Sequence, residues 1–132
     1  MKPTLAELAT ALIAVFEGPE KLTAFKDSGG VWTIGRGHIK GVTAGMTITP
    51  EQSAAFFAQD MAGLLRMVED KPLLAGAAYV SFGYNCGGTA LALVLTGMDT
   101  IGNPKHTTDR HGVVQQGLKS RRRLEQLLIL AA

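Results

Sequence analysis

Residues 16–38 read FEGPEKLTAFKDSGGVWTIGRGH. Gly18 and Pro19 stand in the order that ends a helix, a glycine just past the last turn and a proline that cannot continue it. Downstream, LTAFK and VWTIG carry the Thr, Phe, Val, Trp and Ile that favour extended backbone, on either side of a turn at Asp27–Gly30. The stretch therefore predicts a helix end followed by a β-hairpin. It also gathers Glu17, Asp27, Thr33 and His38 around its glycines.

Upstream, Leu5, Leu8, Ala9, Leu12, Ile13 and Phe16 recur every three or four residues and predict one apolar helical stripe facing a core. Thr4 and Glu7 have the spacing of a capping box, so the helix starts there and places Glu17 in its last turn. TAGMTITP at 43–50 predicts a third short strand. Thr49, Pro50 and Gln52 then predict the start of a second helix, which runs to about Val68. From Pro72 the chain reads as two compact helices broken near Asn85–Gly88, then a loop through Gly97–Gly112, then a closing helix from about Leu118 to Leu130.

Strands are thus confined to residues 22–48 and helices hold the rest. The expected class is α+β: one domain over 1–132, with a small antiparallel lobe, a mainly helical lobe and a ligand cleft between them. Of its 132 residues 46% are hydrophobic and 18% charged, a globular balance without a disordered tail. Glu7 interrupts the N-terminal apolar run well before the roughly 20 residues a membrane span needs, and only fragments of a signal peptide appear.

Cys86 is the sole cysteine, which excludes an internal disulfide framework and a thiolate zinc site. A small buried apolar role is expected for it. His106 and His111 form a loose pair, His38 is remote from both in sequence, and no metal site is expected. The formal charge is +2, with basic residues gathered at Lys119, Arg121, Arg122 and Arg123. Such a cluster attracts anions, but a solvated helix face is the expected reading. Trp32 is expected in the core rather than against a sugar.

Glu17 is the residue whose placement suggests chemistry. The C-terminal end of a helix carries partial negative charge, and Phe16 beside it excludes water; both disfavour an ionised carboxylate. A carboxylic acid that holds its proton suits general-acid cleavage of a glycosidic bond, with a second carboxylate to handle water or the sugar. Asp27 is the only carboxylate in the hairpin turn, and Thr33 lies across that turn, where its hydroxyl could share a water with Asp27.

The run EGPEKLTAFKDSGGVWTIGRGHI resembles the signature of phage-type lysozymes, in which EG, L-x-A-Y-x-D and G-x-x-T-I-G-x-G-H follow one another. VSFGYNCGG at 80–88 is similar to that family's F-N-x-G helix and turn, and GLKSRRRLE at 117–125 to its G-L-x-x-R-R-x-x-E closing helix. The resemblance implies a lysozyme-like fold and an endolysin that cleaves the β-1,4 link between N-acetylmuramic acid and N-acetylglucosamine in peptidoglycan. It implies Glu17 as catalytic acid, Asp27 as second carboxylate and Thr33 as water-binding threonine. Arg121, in the R-R position, is where a partner of Glu17 would stand, while Arg122 and Arg123 are expected in solvent or against the wall.

His38 either touches the cleft or is a hydrogen-bonded structural group, and Asn85 either binds glycan or caps the turn at Gly87. No cofactor and no nucleic-acid partner is expected, and a monomer is the default. A holin or similar pore is expected to release the protein from the host cytoplasm to the wall. Two departures from the family pattern stand out. Nine residues rather than eight separate Glu17 from Asp27, an extra loop residue at small entropic cost. The segment 97–117 is short and lacks a tryptophan-bearing helix. A glycan-binding module without turnover and a lytic transglycosylase using the same acid are the alternative readings.

Overall fold

Helix α1 spans Leu5–Glu17, strands β1 and β2 span Lys21–Lys26 and Trp32–Gly35, and helices α2 to α5 span Pro50–Met67, Leu73–Cys86, Gly88–Leu95 and Gln116–Ala131. A short 3₁₀ helix covers Pro104–Thr107. These elements come from a computed structural model that describes residues 1–109 and 111–132. The class is α+β, with one two-stranded antiparallel sheet among the described residues. The chain divides into two compact units, Glu17–Ala62 and the pair Met1–Phe16, Gly63–Ala132.

In the unit Glu17–Ala62 the hairpin pairs Phe25 with Thr33 and Lys26 with Trp32, with an irregularity between Lys21 and Phe25. The expected third strand is reduced to one bridge, Thr23 to Thr47, flanked by bonds from Ala24 N to Met46 O (2.8 Å) and Ile48 N to Leu22 O (2.9 Å). The chain turns away immediately because Thr49 is needed as a cap. Its Oγ1 accepts from Gln52 N at 3.1 Å, and Gln52 Oε1 accepts from Thr49 N at 2.9 Å. This reciprocal pair satisfies two free donors of α2. Past β2 the chain doubles back tightly, with Ile34 and His38 exchanging both backbone bonds at 2.9 Å. Gly35 makes that possible: its φ is +66°, and a Cβ there would meet Ser53 Oγ at 3.1 Å. Ile34, Ile48, Phe57 and Met61 are the buried apolar residues of this unit.

In the other unit α3 is the central element, with Ala75, Ala77, Ala78, Val80 and Phe82 buried along it. Small residues let its neighbours approach closely: a Cβ on Gly83 would lie 2.8 Å from Leu64 and 2.9 Å from Leu91 side-chain carbons. Helix α1 is capped as its sequence predicts, with Thr4 N on Glu7 Oε2 and Glu7 N on Thr4 Oγ1, both at 3.1 Å. Its buried stripe is narrower than the periodicity suggests. Ala9 and Ile13 are fully covered, whereas Leu8 and Leu12 line a shallow groove with Leu74, Ala77 and Leu128. No helix among the described residues is long and apolar enough to cross a membrane.

The loop after α4 is organised by Asp99. Its Oδ1 accepts from Thr100 N (2.8 Å) and Asn103 Nδ2 (2.9 Å), and its Oδ2 meets His106 Nε2 (3.0 Å) and Lys105 Nζ (3.1 Å). The Asn103 amide first, then the Thr100 N–H and Lys105, hold this carboxyl well below the usual carboxylate range. A depressed folded-state value stabilises the fold above the unfolded value, about 4, and that contribution is lost as pH falls below it. Asp99→Asn should therefore lower Tm at pH 7 and lower it progressively less toward pH 3. An unchanged gap between the two proteins across that range would refute the role given to this carboxylate.

Candidate active site

Glu17 is the last residue of α1, half-buried, and Gly18 with φ +73° ends the helix in the left-handed conformation glycine favours. The sequence places it there for local reasons, since Gly18 and Pro19 leave the helix no way onward. Glu17, Asp27, Thr33 and His38 all fall in the unit Glu17–Ala62.

Asp27 sits at the hairpin turn and folds the turn around its own side chain. Oδ1 accepts from Gly29 N at 2.8 Å and Val31 N at 2.9 Å, while Asp27 N donates to Val31 O at 3.0 Å. The buried Thr33 Oγ1 donates to the same Val31 carbonyl at 2.9 Å. One peptide group thus ties Asp27 to Thr33. Thr33 spends its proton on that carbonyl, which leaves its oxygen as an acceptor.

The same pattern of bonds occurs a second time. DSGGV at 27–31 is matched by D-x-H-G-V at 109–113. Asp109 Oδ1 accepts from His111 N (2.8 Å) and Val113 N (3.0 Å), and Asp109 N donates to Val113 O at 2.9 Å. Gly30 and Gly112 share φ +78°. The Asp27 backbone geometry is therefore that of a stable turn in its own right. The two differ at the other carboxylate oxygen: Asp109 Oδ2 accepts from Gln115 Nε2 at 2.9 Å, whereas among the described residues Asp27 Oδ2 has no hydrogen-bond partner. The Val113 N–H first, then His111 and Gln115, hold the Asp109 carboxyl below its ordinary value against the opposing effect of burial.

His38 is buried at 4% exposure, with Nδ1 2.9 Å from Asp60 Oδ2 and its ring stacked on Phe56 at 4.1 Å. These contacts fix it within its own unit. Trp32, expected in the core, is only half-buried, because β2 faces it toward Lys26, whose ammonium lies 5.4 Å from the ring centre.

Asn85 and Arg121 belong to the other unit. Asn85 does not cap the turn at Gly87, where no side-chain cap forms; its Oδ1 accepts from Arg122 Nη1 at 2.9 Å. Arg121 is 3% exposed and donates from Nε to Ser81 Oγ (3.2 Å) and from Nη2 to Ser81 O (3.0 Å), with its guanidinium carbon 5.0 Å from the Phe16 ring centre. The solvated reading of Arg122 is wrong. It is 2% exposed, because its position three residues before Glu125 turns it inward onto Phe82. Lys119 and Arg123 do face solvent. The expected small apolar role of Cys86 also needs correction: its Sγ lies 2.8 Å from Arg122 Nη1, although burial still pushes the thiol up, overriding that cation.

Sequence reading missed the group that links these arginines. Glu125, fully buried, accepts from Ser81 Oγ at 2.6 Å and Arg122 Nη2 at 2.9 Å through Oε2, which also lies 3.4 Å from Arg121 Nε. Its Oε1 stands 2.7 Å from Arg122 Nε without hydrogen-bond alignment. The R-R-x-x-E spacing, which puts both arginines one helical turn from one carboxylate, was the available signal. Among the described residues no group of three His, Cys, Asp or Glu could hold a metal ion.

Residues 14–125 match the protein family described as phage lysozyme. The endolysin of Acyrthosiphon pisum secondary endosymbiont phage 1 is 33% identical over 91 residues, which cover 65% of this chain and 62% of that protein. The chain is thus matched over less than two thirds of that relative's length. The active form of P1 phage endolysin Lyz superposes with a TM-score of 0.76 at 25% identity, over 95% of this chain and 84% of that one. An endolysin from Escherichia coli O157:H7 phage FAHEc1 gives 0.73 at 29% identity, covering 98% and 95%. The muramidase domain of SpmX from Asticaccaulis excentricus gives 0.73 at 25% identity, covering 98% and 99%.

Proposed function

The chain belongs to the phage lysozyme family, and on that ground we propose that it hydrolyses bacterial peptidoglycan at the β-1,4 bond between N-acetylmuramic acid and N-acetylglucosamine. Glu17 is the general acid that protonates the leaving glycosidic oxygen. Asp27 and Thr33 handle the water. The observation that carries this reading is the Asp27–Val31–Thr33 linkage, which among the described residues leaves Asp27 Oδ2 unengaged and the Thr33 oxygen as an acceptor. A water donating to both would present its lone pair to the sugar carbon and pass its proton to the carboxylate.

Loss of turbidity of purified peptidoglycan, followed by mass spectrometry of the released fragments, tests this. Reducing muramic acid ends that disappear in Glu17→Gln are expected. Ends of the 1,6-anhydro type would make the protein a lytic transglycosylase, in which the sugar's own hydroxyl replaces water. Wild type that sediments with the wall but releases nothing would make it a glycan-binding module.

Such an enzyme needs a route to the wall, and we take that route to be a pore formed by a holin. Host cells are expected to stay intact while the protein accumulates without a pore, and to lyse when one opens. Lysis with no pore-forming partner present would remove the holin from the account.

A further inference from the structure

We propose that Lys21 is a specificity-determining residue, whose ammonium reads a carboxylate on the lactyl arm of muramic acid, either the arm's own or that of an attached peptide. The inference rests on the proposed function, in which Asp27 and Thr33 direct water to C1 of the muramic ring. Lys21, Phe25, Asp27 and Thr33 all belong to the unit Glu17–Ala62. In the hairpin Phe25 stands opposite Thr33, and Lys21 opposite Gly35. Opposed residues of an antiparallel pair share a face, with Cβ atoms about 5 Å apart, and residues two apart on a strand share one too. Thr33 and Gly35 therefore put Phe25 and Lys21 on the face that carries the Thr33 hydroxyl. The irregularity between Lys21 and Phe25 leaves this intact, since Lys21 Nζ lies 4.2 Å from the centre of the Phe25 ring.

The negative face of that ring holds the ammonium in place. Lys21 is exposed, and among the described residues it has no carboxylate partner. A cation is thus stationed beside the threonine that handles water. The proposed substrate has one kind of group to match it. The sugar rings and N-acetyl groups of peptidoglycan are neutral, and its carboxylates all hang from the lactyl ether at C3 of muramic acid, as the free acid or through the peptide. That carbon is two ring positions from C1, so the acidic arm and the reacting carbon share a ring, as Lys21 and Thr33 share a hairpin face. Lys26 provides the contrast. It stands opposite Trp32, one residue along from the Phe25–Thr33 pair, and its ammonium lies over the Trp32 ring. It carries the same charge on the other face.

The test measures the Kd of soluble, uncross-linked glycan chains by calorimetry in the Glu17→Gln background, where the chains are expected to stay whole. Lys21→Met, which covers the Phe25 ring without a charge, is compared with Lys21→Arg and Lys26→Met, each with its Tm. Peptide-bearing chains and chains stripped to the free lactyl acid are titrated separately. Lys21→Met is expected to weaken binding about three- to fivefold at low salt, the upper range for an exposed charge pair. The difference should fade as salt rises, and Lys21→Arg and Lys26→Met should bind like the parent. A loss on peptide-bearing chains alone assigns the carboxylate to the peptide; a loss on stripped chains alone assigns it to the lactyl group. Unchanged affinity of Lys21→Met for both kinds of chain would overturn the proposal. So would an equal loss in Lys26→Met, which would reduce the attraction to net charge. Cleavage by Glu17→Gln at the wild-type rate would remove the proposed acid instead, and the same comparison of Lys21 variants is then read from KM in the wild-type background.

Discussion

Glu17→Gln is expected to lower the rate of peptidoglycan cleavage by roughly 10²- to 10⁴-fold, the usual worth of a positioned general acid. An amide of the same shape cannot donate a proton to the leaving oxygen, so the bond must break with an alkoxide departing. The residue ends its helix and is only half-buried, and Gly18, not Glu17, provides the stop. Circular dichroism and Tm should therefore stay close to wild type. Retention of more than about a tenth of the activity would show that another group supplies the proton. A rate loss accompanied by a collapse of Tm would instead assign Glu17 to the fold.

Glu125→Ala should be the most destabilising of the substitutions considered. It removes the carboxylate shared by Arg121 and Arg122, two guanidiniums at 3% and 2% exposure that Glu125 holds together. Breaking a buried ion pair from one side costs about 3–5 kcal/mol. For a chain of this length that corresponds to a fall in Tm of roughly 10–20 °C. Burial pushes the Glu125 carboxyl up, against the pull of Arg122 and the Ser81 hydroxyl. The penalty of the variant therefore comes from the buried cations it leaves behind more than from a strong net attraction in the native protein. Urea titration measures it directly, and a loss below about 1 kcal/mol would mean that both arginines reach water by a small rearrangement.

The parts of this protein that were legible in its sequence are those governed by neighbours in the chain. Thr4 with Glu7 and Thr49 with Gln52 announce helix starts through reciprocal side-chain bonds spanning three residues, and both form as read. Gly18 ends α1 for a similarly local reason. The third strand was over-read because the β-forming residues at 46–48 say nothing about how soon Thr49 must turn to cap α2. Arg122 was misread because a run of three arginines looks like a solvated face. What decides the matter is Ser81 and Asn85, about 40 residues earlier, which provide acceptors or complete the network inside the fold. In the candidate site, the chain position of Glu17 and the Asp27 turn were legible. The peptide that joins Asp27 to Thr33 became visible only with backbone geometry.

The repeated pattern of bonds provides the molecule with its own calibration standard. Any loss of function in Asp27→Asn mixes the chemistry of the carboxylate with the cost of weakening a loop that the same carboxylate organises. Asp109 accepts matching bonds from the second and fourth residues after it. Asp109→Asn therefore reports what the substitution costs such a loop where no reaction has been assigned. Subtracting that cost, after allowing for the Gln115 bond that Asp109 makes, isolates the part of the loss that belongs to the catalytic role proposed for the Asp27 carboxylate.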